Sequence, residues 1–435
     1  MLNQKGKTLN RIIATIIVIF EGELFMDFLS DKIADRLGGS SFGKDTKEYK
    51  FAKIKRCKAE AKAAHPNEKL IDMGVGEPDK RADDGIVRVL SEEAGKPENR
   101  FYSDNGIIEF QEAVVDFMDS FYGVKLKSPS ENVIHSIGSK PALALLPLCF
   151  INPGDVALMT TPGYPVMGTY TKYLGGQAYN LPLTKENSFY PDFSNIPTDI
   201  LKRAKMLYIN YPNNPTGQVA TKEFYQQVVD FAYKNKIVVV ADSAYSTVVF
   251  DDYKPLSFLS IEGAEEVGVE VHSLSKSYNM TGWRLAFLAG NKKIISAFAN
   301  IKDNTDSGQF RAIQKAGIYA LNHPELIAEN CARYSRRFDM LINVLKNVGF
   351  DAVKPKGTFY AYVEAFKGAK GGAKFNSAED CSEYLIKNSL ISTVPWDDAG
   401  AFLRFSVTFE AKDEKEEAEI INEVGRRLSS LELSF

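Results

Sequence analysis

Residues 269–290 read VEVHSLSKSYNMTGWRLAFLAG and form the most informative stretch of the chain. An apolar, strand-like run ends in Ser-Leu-Ser-Lys, and Arg284 follows eight residues after Lys276. Serine hydroxyls and an arginine are groups that bind a phosphate. A lysine beside them can form a Schiff base with a carbonyl compound. Because a lysine in a serine-rich loop is also an ordinary solvated residue, the interpretation depends on the rest of the chain.

Three further strand-like runs end in polar residues, and these support the interpretation of Lys276 and Arg284 as parts of a binding site. VVVADSAY at 238–245 ends in Asp242, with Tyr245 three residues later, and an acid at the carboxyl end of a strand in an α/β sheet faces the binding crevice. LYINYPNNPTG at 207–217 runs into a turn rich in Asn, Pro and Gly, which alone is typical of any tight turn. IHSIGSKPALALL at 134–146 places Gly-Ser-Lys at the start of a helix. Free amides and the helix dipole make such a start an anion site.

Strand-length and helix-length segments alternate through the middle of the chain. This alternation predicts an α/β domain with a mostly parallel sheet covered on both faces. The predicted strands are 133–137, 156–160, 206–211, 237–241, 269–273 and 286–289. The predicted helices are 49–65, 107–122 and 221–235.

The C-terminal part has a different pattern, which predicts a smaller α+β unit. Strands are expected near 358–364 and 401–408, with a helix at 379–388 and a charged closing helix at 411–430. The glycine-rich Gly368–Gly372 predicts a surface loop.

Composition excludes several classes of protein. The chain has 435 residues, 53 basic and 56 acidic, for a net charge of −3, so no nucleic-acid partner is expected. Cys57, Cys149, Cys331 and Cys381 form no CxxC pair, and the four histidines form no HxxxH pair. Free thiols in a reducing compartment, the cytoplasm, and no metal site are therefore expected.

The N-terminus superficially resembles a signal peptide. Ile12–Phe20 is apolar and follows basic residues, but Glu21 comes next and no small-residue cleavage site follows. The apolar run is also too short to span a bilayer, and no membrane association is expected. The favoured interpretation is an over-extended start over residues 1–25, with the functional chain beginning near Met26. If residues 1–25 are made, they are expected to be an extra strand or helix, or disordered.

Taken in chain order, the motifs resemble those of the class I and II aminotransferases, pyridoxal-phosphate (PLP) enzymes of fold type I. The resemblance covers about residues 47–430. Its motifs are GVGEPD at 74–79, Tyr102, GSK at 138–140, PGYP at 162–165, NNPTG at 213–217, DSAY at 242–245, SLSK at 273–276, GWR at 282–284 and Arg404.

This resemblance implies a large domain with a mostly parallel seven-stranded sheet plus a smaller α+β domain. An N-terminal arm with part of the small domain would occupy 26–80, the large PLP-binding domain 81–312, and the C-terminal small domain 313–435. It also implies a homodimer with shared active sites, because Tyr102 matches a tyrosine that reaches the phosphate in the neighbouring subunit.

The resemblance further implies a role for each residue that would meet the cofactor ring. Lys276 would hold PLP as a Schiff base and later move a proton between the substrate α-carbon and the cofactor. Asp242 would pair with the pyridine nitrogen. Tyr245 and Asn214 would donate hydrogen bonds to the phenolic oxygen, and Tyr164 would stack on the ring.

Phosphate and substrate contacts follow from the same resemblance. The residues implied for the phosphate are Ser139, Lys140, Ser273, Ser275, Arg284 and Tyr102. Arg404 would bind the substrate α-carboxylate, with Gly76 and Asn214 beside it, since arginine binds carboxylates in bidentate geometry.

Ser103, Ala286 and Ser243 depart from the Gly, Gly and Glu that are frequent in the family. These departures weaken the substrate assignment more than the cofactor assignment.

The substrate is predicted from the surroundings of the motifs, which resemble those of LL-diaminopimelate aminotransferases. These surroundings are Ala82–Gly85, YSDNGIIEFQEAV at 102–114, HSIGSKPAL at 135–143 and KDNTDSGQF at 302–310. They imply LL-diaminopimelate/tetrahydrodipicolinate and glutamate/2-oxoglutarate as the two couples, in lysine and cell-wall synthesis. Asp306, Ser307, Gln309 and Lys172 are candidates for the distal end of the substrate.

Other functions remain open from the sequence. A general aspartate or alanine aminotransferase needs only a short polar pocket, and a PLP-dependent lyase or decarboxylase shares the lysine, the aspartate and the tyrosine. A regulatory PLP-sensing protein would need a DNA-binding module, which the short N-terminal extension cannot hold.

Overall fold

The computed structural model describes Leu29, residues 32–43 and residues 50–435. The chain divides into two units, Met1–Lys53 and Ile54–Phe435. The first contains two short 3₁₀ turns, Asp35–Leu37 and Gly39–Ser41. The expectation for residues 1–25 lies outside the described residues.

A seven-stranded sheet forms the centre of the second unit. Within the described residues the strands are β1 (Ile71–Asp72), β2 (Val133–Ser136), β3 (Val156–Thr161), β4 (Gln177–Pro182), β5 (Ala204–Asn210), β6 (Val238–Asp242), β7 (Gly268–Ser273), β8 (Ala286–Gly290), β9 (Tyr360–Glu364), β10 (Gly368–Ala369), β11 (Ala373–Lys374), β12 (Ile391–Ser392), β13 (Val394–Trp396) and β14 (Phe402–Ser406). The sheet has the order β2-β8-β7-β6-β5-β3-β4. β8 runs antiparallel to both of its neighbours, β2 and β7, and the other four pairs of the sheet are parallel, which confirms the predicted mostly parallel sheet.

Helices connect these strands. Within the described residues they are α1 (Lys50–Ala64), α2 (Asp84–Ala94), α3 (Ile108–Tyr122), α4 (Pro129–Asn132), α5 (Ser139–Phe150), α6 (Val166–Tyr173), α7 (Thr198–Arg203), α8 (Lys222–Asn235), α9 (Ala264–Val267), α10 (Leu274–Ser277), α11 (Lys292–Lys302), α12 (Arg311–Leu321), α13 (Glu325–Val348), α14 (Ala378–Ser389) and α15 (Glu414–Ser429). None of the helices in the described ranges combines the length and the apolar character that crossing a membrane requires.

Both faces of the sheet are buried, which explains why its central strands are apolar without alternation. On one face Val239 and Phe287 pack with Val114 of α3 and Val228 of α8. On the other face Val240, Val271 and Leu288 pack with Leu143 of α5 and Phe298 of α11. The fold is therefore the expected α/β arrangement with helices on both sides.

The edge strand β4 was missing from the sequence prediction. Its residues are mostly half-buried or exposed, and only Leu181 is fully buried. An edge strand of this kind has neither a continuous apolar run nor a clear alternation, so its pairing with β3 is visible only in the folded chain.

The parallel pairing brings four polar strand ends to one edge of the sheet. Asn210 at the end of β5 pairs with Asp242 at the end of β6, and β7 ends beside them at Ser273. Strand β2 ends at Ser136, opposite the start of β8. The segments that follow these strands therefore start at the same edge of the sheet, where the binding crevice of an α/β sheet is expected.

The C-terminal part contains an antiparallel sheet with the order β13-β14-β9. In addition, β1 pairs in parallel with β12, so Ile71 lies beside Ile391. The domain boundaries 26–80, 81–312 and 313–435 stay a prediction.

The surface loop expected at Gly368–Gly372 is wrong in part. Gly368 and Ala369 form a short hairpin with Ala373 and Lys374. Gly368 is buried because Ser434, near the end of the chain, packs against it and its amide donates to the Ser434 carbonyl. That contact involves residues far apart in sequence, so no local pattern predicts it.

Candidate active site

Lys276 lies on the short helix α10, directly after β7, and its side chain crosses to the GVGEPD loop. Its Nζ donates a hydrogen bond to the carbonyl of Gly76 at 2.7 Å. Burial lowers the pKa of Lys276 to about 8; the Glu77 carboxylate opposes this shift, and the guanidinium groups of Arg284 and Arg404 add to it. A lysine that is partly neutral near pH 8 is a nucleophile and a base.

Asp242 ends strand β6 and is 5% exposed. Its Oδ2 accepts a hydrogen bond from the Tyr208 hydroxyl at 2.9 Å, and its Oδ1 accepts one from the Ala244 amide at 3.3 Å. Burial raises the pKa of Asp242 to about 6. A buried acid whose ionisation is penalised gains from a cationic partner. Sequence reasoning missed Tyr208, because a tyrosine within an apolar strand has the appearance of ordinary core.

The start of helix α5 and the segment from Ser273, the last residue of β7, to Arg284 bring together groups that suit an anion. Gly138 has φ +87°, and a Cβ there would collide with the guanidinium of Arg284. Arg284 Nη1 lies 3.5 Å from the Ser275 hydroxyl, and the Ser273 hydroxyl accepts the Ser275 amide at 3.2 Å. Ser139 begins the helix. The helix N-terminus, the guanidinium and the hydroxyls together suit a phosphate.

Three other residues that the sequence analysis predicts for the site differ in their exposure. Lys140 is exposed, with Nζ 5.9 Å from the ring centroid of the half-buried Tyr164. Tyr102 stands apart: it is 78% exposed, although its backbone carbonyl accepts a hydrogen bond from Arg311 at 2.6 Å. The chain thus presents the Tyr102 phenol to its surroundings.

Arg404 in β14 is 3% exposed. Its Nη1 donates to Oδ1 of Asn214 at 2.8 Å, and its Nη2 donates to the carbonyl of Gly74 at 3.2 Å. A Cβ on Gly76 would lie 3.9 Å from Nη2 of Arg404 and 3.2 Å from the Tyr360 hydroxyl. The absence of a side chain at Gly76 therefore leaves room beside the guanidinium.

Tyr245 connects to Arg404 through a residue that the sequence did not single out. The Tyr245 and Tyr360 hydroxyl oxygens are 3.1 Å apart, and the Arg404 Cζ lies 3.9 Å from the ring centroid of Tyr360. Phe359, next to Tyr360, places its ring centroid 5.7 Å from Lys276 Nζ. Tyr360 begins β9 and Phe359 directly precedes it, and the aromatic-rich sequence FYAYVE at 359–364 carries no local signal of a site.

Two candidates for the distal end of the substrate are already engaged within the chain. Asp306 accepts hydrogen bonds from the buried Lys302 and from the Gly308 amide. Gln309 contacts His135 and donates to two backbone carbonyls beside the phosphate cradle. These internal bonds point to a role in holding the loop at 302–310 in place.

The donor set fits pyridoxal phosphate. It offers a cradle for the phosphate around Arg284, a buried acid for the ring nitrogen at Asp242, and a lysine of lowered pKa at Lys276. Across the residues that the structure covers, no group of three or more His, Cys, Asp or Glu residues could hold a metal ion.

Comparison with known proteins establishes the family. The family described as "Aminotransferase class I and II" matches residues 68–421. The LL-diaminopimelate aminotransferase of Methanocaldococcus jannaschii is 57% identical over 416 residues, which cover 94% of this chain and 99% of the relative. The same enzyme of Methanococcus maripaludis is 54% identical over 413 residues, covering 94% and 99%.

Solved structures agree with this family. Substrate-bound BacF from Bacillus subtilis has a TM-score of 0.81 and 32% identity, covering 90% of this chain and 97% of that one. A Thermus thermophilus aspartate aminotransferase mutant, at 23% identity over 91% of this chain and 99% of that one, shares the fold with a TM-score of 0.79. The chain belongs to the class I and II aminotransferases, and its cofactor is pyridoxal phosphate.

Proposed function

We propose that this chain transfers an amino group between LL-2,6-diaminopimelate and 2-oxoglutarate, yielding tetrahydrodipicolinate, glutamate and water, in the synthesis of lysine and of peptidoglycan precursors. The observation that carries the substrate is the 57% identity, over 94% of the chain, to an LL-diaminopimelate aminotransferase. The site geometry independently supports amino transfer, because a lysine, a buried acid and a buried arginine face one crevice.

Each residue of the crevice has a task in this proposal. Pyridoxal phosphate supplies the electron sink that makes the substrate α-carbon acidic. Lys276 would hold the cofactor through Nζ; once Nζ is free, it would take the proton from the α-carbon and return it on the cofactor side. The pKa of about 8 supports both uses. Asp242 would keep the ring nitrogen protonated, and Tyr164 would cover one face of the ring.

Binding and orientation fall to the surrounding groups. Tyr245 and Asn214 would donate hydrogen bonds to the phenolic oxygen of the cofactor. Arg404 would bind the substrate α-carboxylate beside Asn214 and Gly76, since these groups already lie together. The proposed phosphate ligands are Ser139, Lys140, Ser273, Ser275 and Arg284, with Tyr102 from a second copy.

The substrate proposal is tested by comparing specificity constants. We expect kcat/KM for LL-diaminopimelate with 2-oxoglutarate to exceed that for aspartate or alanine by about 10²-fold or more. A site built to bind the distal amine and carboxylate has polar groups that a short substrate leaves without partners. The meso isomer is the matched control, since it differs from LL-diaminopimelate only in the configuration of one distal carbon. A higher value for aspartate or alanine would overturn the substrate and leave the aminotransferase in place. Release of ammonia or pyruvate without amino transfer would instead favour a lyase.

We also propose a homodimer with two shared sites, located in the cytoplasm. The exposed Tyr102, next to Phe101 with 52% exposure, supports a partner surface at this position.

The four cysteines are all free, in agreement with a reducing compartment. The domain division at 26–80, 81–312 and 313–435 is part of the same proposal.

The shared site predicts that two inactive variants complement each other. Tyr102→Ala and Lys276→Ala are each expected to lose at least about tenfold in kcat/KM. In a mixed dimer, the chain that keeps Lys276 would receive an intact Tyr102 from its partner, so one site of the two would recover. Light scattering should give the mass of a dimer throughout. Tyr233→Ala, at a tyrosine that is 67% exposed on α8, is the control and should retain full activity. A mixture without recovery would place Tyr102 in its own chain's site.

A further inference from the structure

Tyr360 lies between the cofactor side and the substrate side of the site. It is 1% exposed and belongs to β9, whose partner strand β14 carries Arg404. Its hydroxyl oxygen is 3.1 Å from that of Tyr245, and its ring faces the Arg404 guanidinium at 3.9 Å. One side chain thus contacts both of the groups that the proposed function assigns to the cofactor and to the substrate.

Each of the two phenols has a single hydroxyl proton, and this determines which of them donates the hydrogen bond between Tyr245 and Tyr360. Each tyrosine hydroxyl has one proton to donate and can also accept. If Tyr245 donates its proton to the phenolic oxygen of the cofactor, it cannot also donate to Tyr360. The Tyr360 hydroxyl must then donate to the Tyr245 oxygen, and a donor that is itself accepting a hydrogen bond donates more strongly.

The aromatic ring of Tyr360 contacts the guanidinium of Arg404. A guanidinium over an aromatic face is attracted by the ring quadrupole, and the attraction grows when water is excluded. Arg404 is 3% exposed, and its hydrogen bonds to Asn214 and Gly74 fix only one edge of the group. The ring therefore fixes the plane in which Arg404 presents itself to a carboxylate.

We propose that Tyr360 is a positioning residue with two functions: its hydroxyl directs the proton of Tyr245 towards the cofactor, and its ring holds Arg404 for the substrate carboxylate. The inference rests on the proposed roles of Tyr245 and Arg404. It assigns a task to a residue that takes part in the reaction only through these two.

The charged and titratable groups around the pair are consistent with a neutral Tyr245. Burial raises the pKa of Tyr245 far above its ordinary value, the neighbouring Tyr360 and the carboxylate of Asp242 raise it further, and only Arg404 opposes the shift. From β5, Tyr208 faces the same region through Asp242. Tyr245 therefore keeps its proton across the pH range of the assay and is available as a donor.

The hydroxyl is tested with Tyr360→Phe in the cofactor-loaded enzyme, by following the pH midpoint of the visible absorbance change. The bond from Tyr245 competes with the proton that the phenolic oxygen shares with Lys276 Nζ. Weakening that bond lets Nζ keep its proton to higher pH, so we expect the midpoint to rise by roughly half a unit. KM for the amino-acid substrate should stay within about twofold, because the ring over Arg404 remains.

The ring is tested with Tyr360→Leu, which removes the aromatic face as well as the hydroxyl. We expect the same rise of the midpoint together with an increase of roughly tenfold in KM for the amino-acid substrate. A KM equal to that of Tyr360→Phe would overturn the assignment of the ring.

Two control variants separate the possible failures. Tyr362→Phe changes the same strand, but Tyr362 stacks on Phe402 and, in the part of the chain described, its hydroxyl has no hydrogen-bond partner, so neither midpoint nor KM should move. A midpoint shift in Tyr362→Phe equal to that in Tyr360→Phe would mean that any substitution in strand β9 disturbs the site, and it would overturn the inference.

Tyr245→Phe should raise the midpoint more than Tyr360→Phe does. If Tyr245→Phe shifts it and Tyr360→Phe does not, only the inference fails; if neither shifts it, the proposed role of Tyr245 fails.

Discussion

Replacing Lys276 by alanine is expected to reduce kcat by more than about 10⁴-fold, because one side chain would lose both the covalent attachment and the proton transfer. The measurement is single-turnover kinetics with LL-diaminopimelate, together with borohydride reduction and peptide mapping of the loaded protein. The mapping should find the cofactor attached to Lys276 in the parent protein and to no lysine in the variant.

The control for this variant is Lys234→Ala, at a lysine in the last turn of α8. It should leave turnover and attachment unchanged. If the proton transfer itself is lost in Lys276→Ala, small added amines should restore part of the rate in proportion to their basicity. Attachment of the cofactor to a different lysine in Lys276→Ala would contradict the assignment.

Replacing Asp242 by asparagine is expected to keep the cofactor bound and to lower kcat by roughly 10²–10³-fold. Asparagine preserves the shape of the side chain and an acceptor for Tyr208, but it carries no charge to keep the ring nitrogen protonated. Equilibrium dialysis of the cofactor and steady-state kinetics measure the two effects separately. Unchanged turnover would remove Asp242 from its proposed role.

In the cofactor-free protein, Asp242→Asn is expected to change the thermal stability in a pH-dependent way. Because burial raises the pKa of Asp242 to about 6, the protonated carboxyl favours folding below about pH 4, and this contribution is lost as the pH rises through 6. Asp242→Asn avoids the buried charge, so its Tm should exceed that of the parent at pH 7.5 and equal it at pH 4. Asp230→Asn, on helix α8, is the control and should shift Tm at neither pH.

The strand ends were predictable because their signal is local. The apolar runs leading to Asp242 and Ser273 read as strands, and each polar residue at a carboxyl end could be assigned to the crevice by a general property of parallel sheets. Lys276 and Arg284 stood out because Ser-x-Ser-Lys and a nearby arginine combine phosphate and carbonyl chemistry within one short stretch. Local sequence therefore pointed to Lys276, Arg284 and Asp242, and the resemblance to the family supplied the other residues predicted for the cofactor.

Long-range contacts account for what the sequence analysis missed. Tyr360 is separated by more than a hundred residues from Tyr245, and only the pairing of β9 with β14 brings it under Arg404. Tyr208 becomes a partner of Asp242 only because β5 and β6 are adjacent and in register. A tyrosine in an apolar strand gives the same pattern whether its hydroxyl meets solvent, backbone or a carboxylate.

The α/β class and the order of the motifs follow from the amino-acid sequence alone, and the resemblance that these motifs carry singles out Lys276, Asp242 and Arg404 as candidates for the chemistry. Lys276 and Asp242 stand out through their immediate neighbours, whereas Arg404 is recognised only from the order of the motifs along the whole chain. The electrostatic surroundings of these residues are visible only in the folded chain, where burial brings the pKa of Lys276 down to about 8 and that of Asp242 up to about 6. Those shifts depend on how much water the packed strands and helices exclude, and this is a property of the folded chain as a whole.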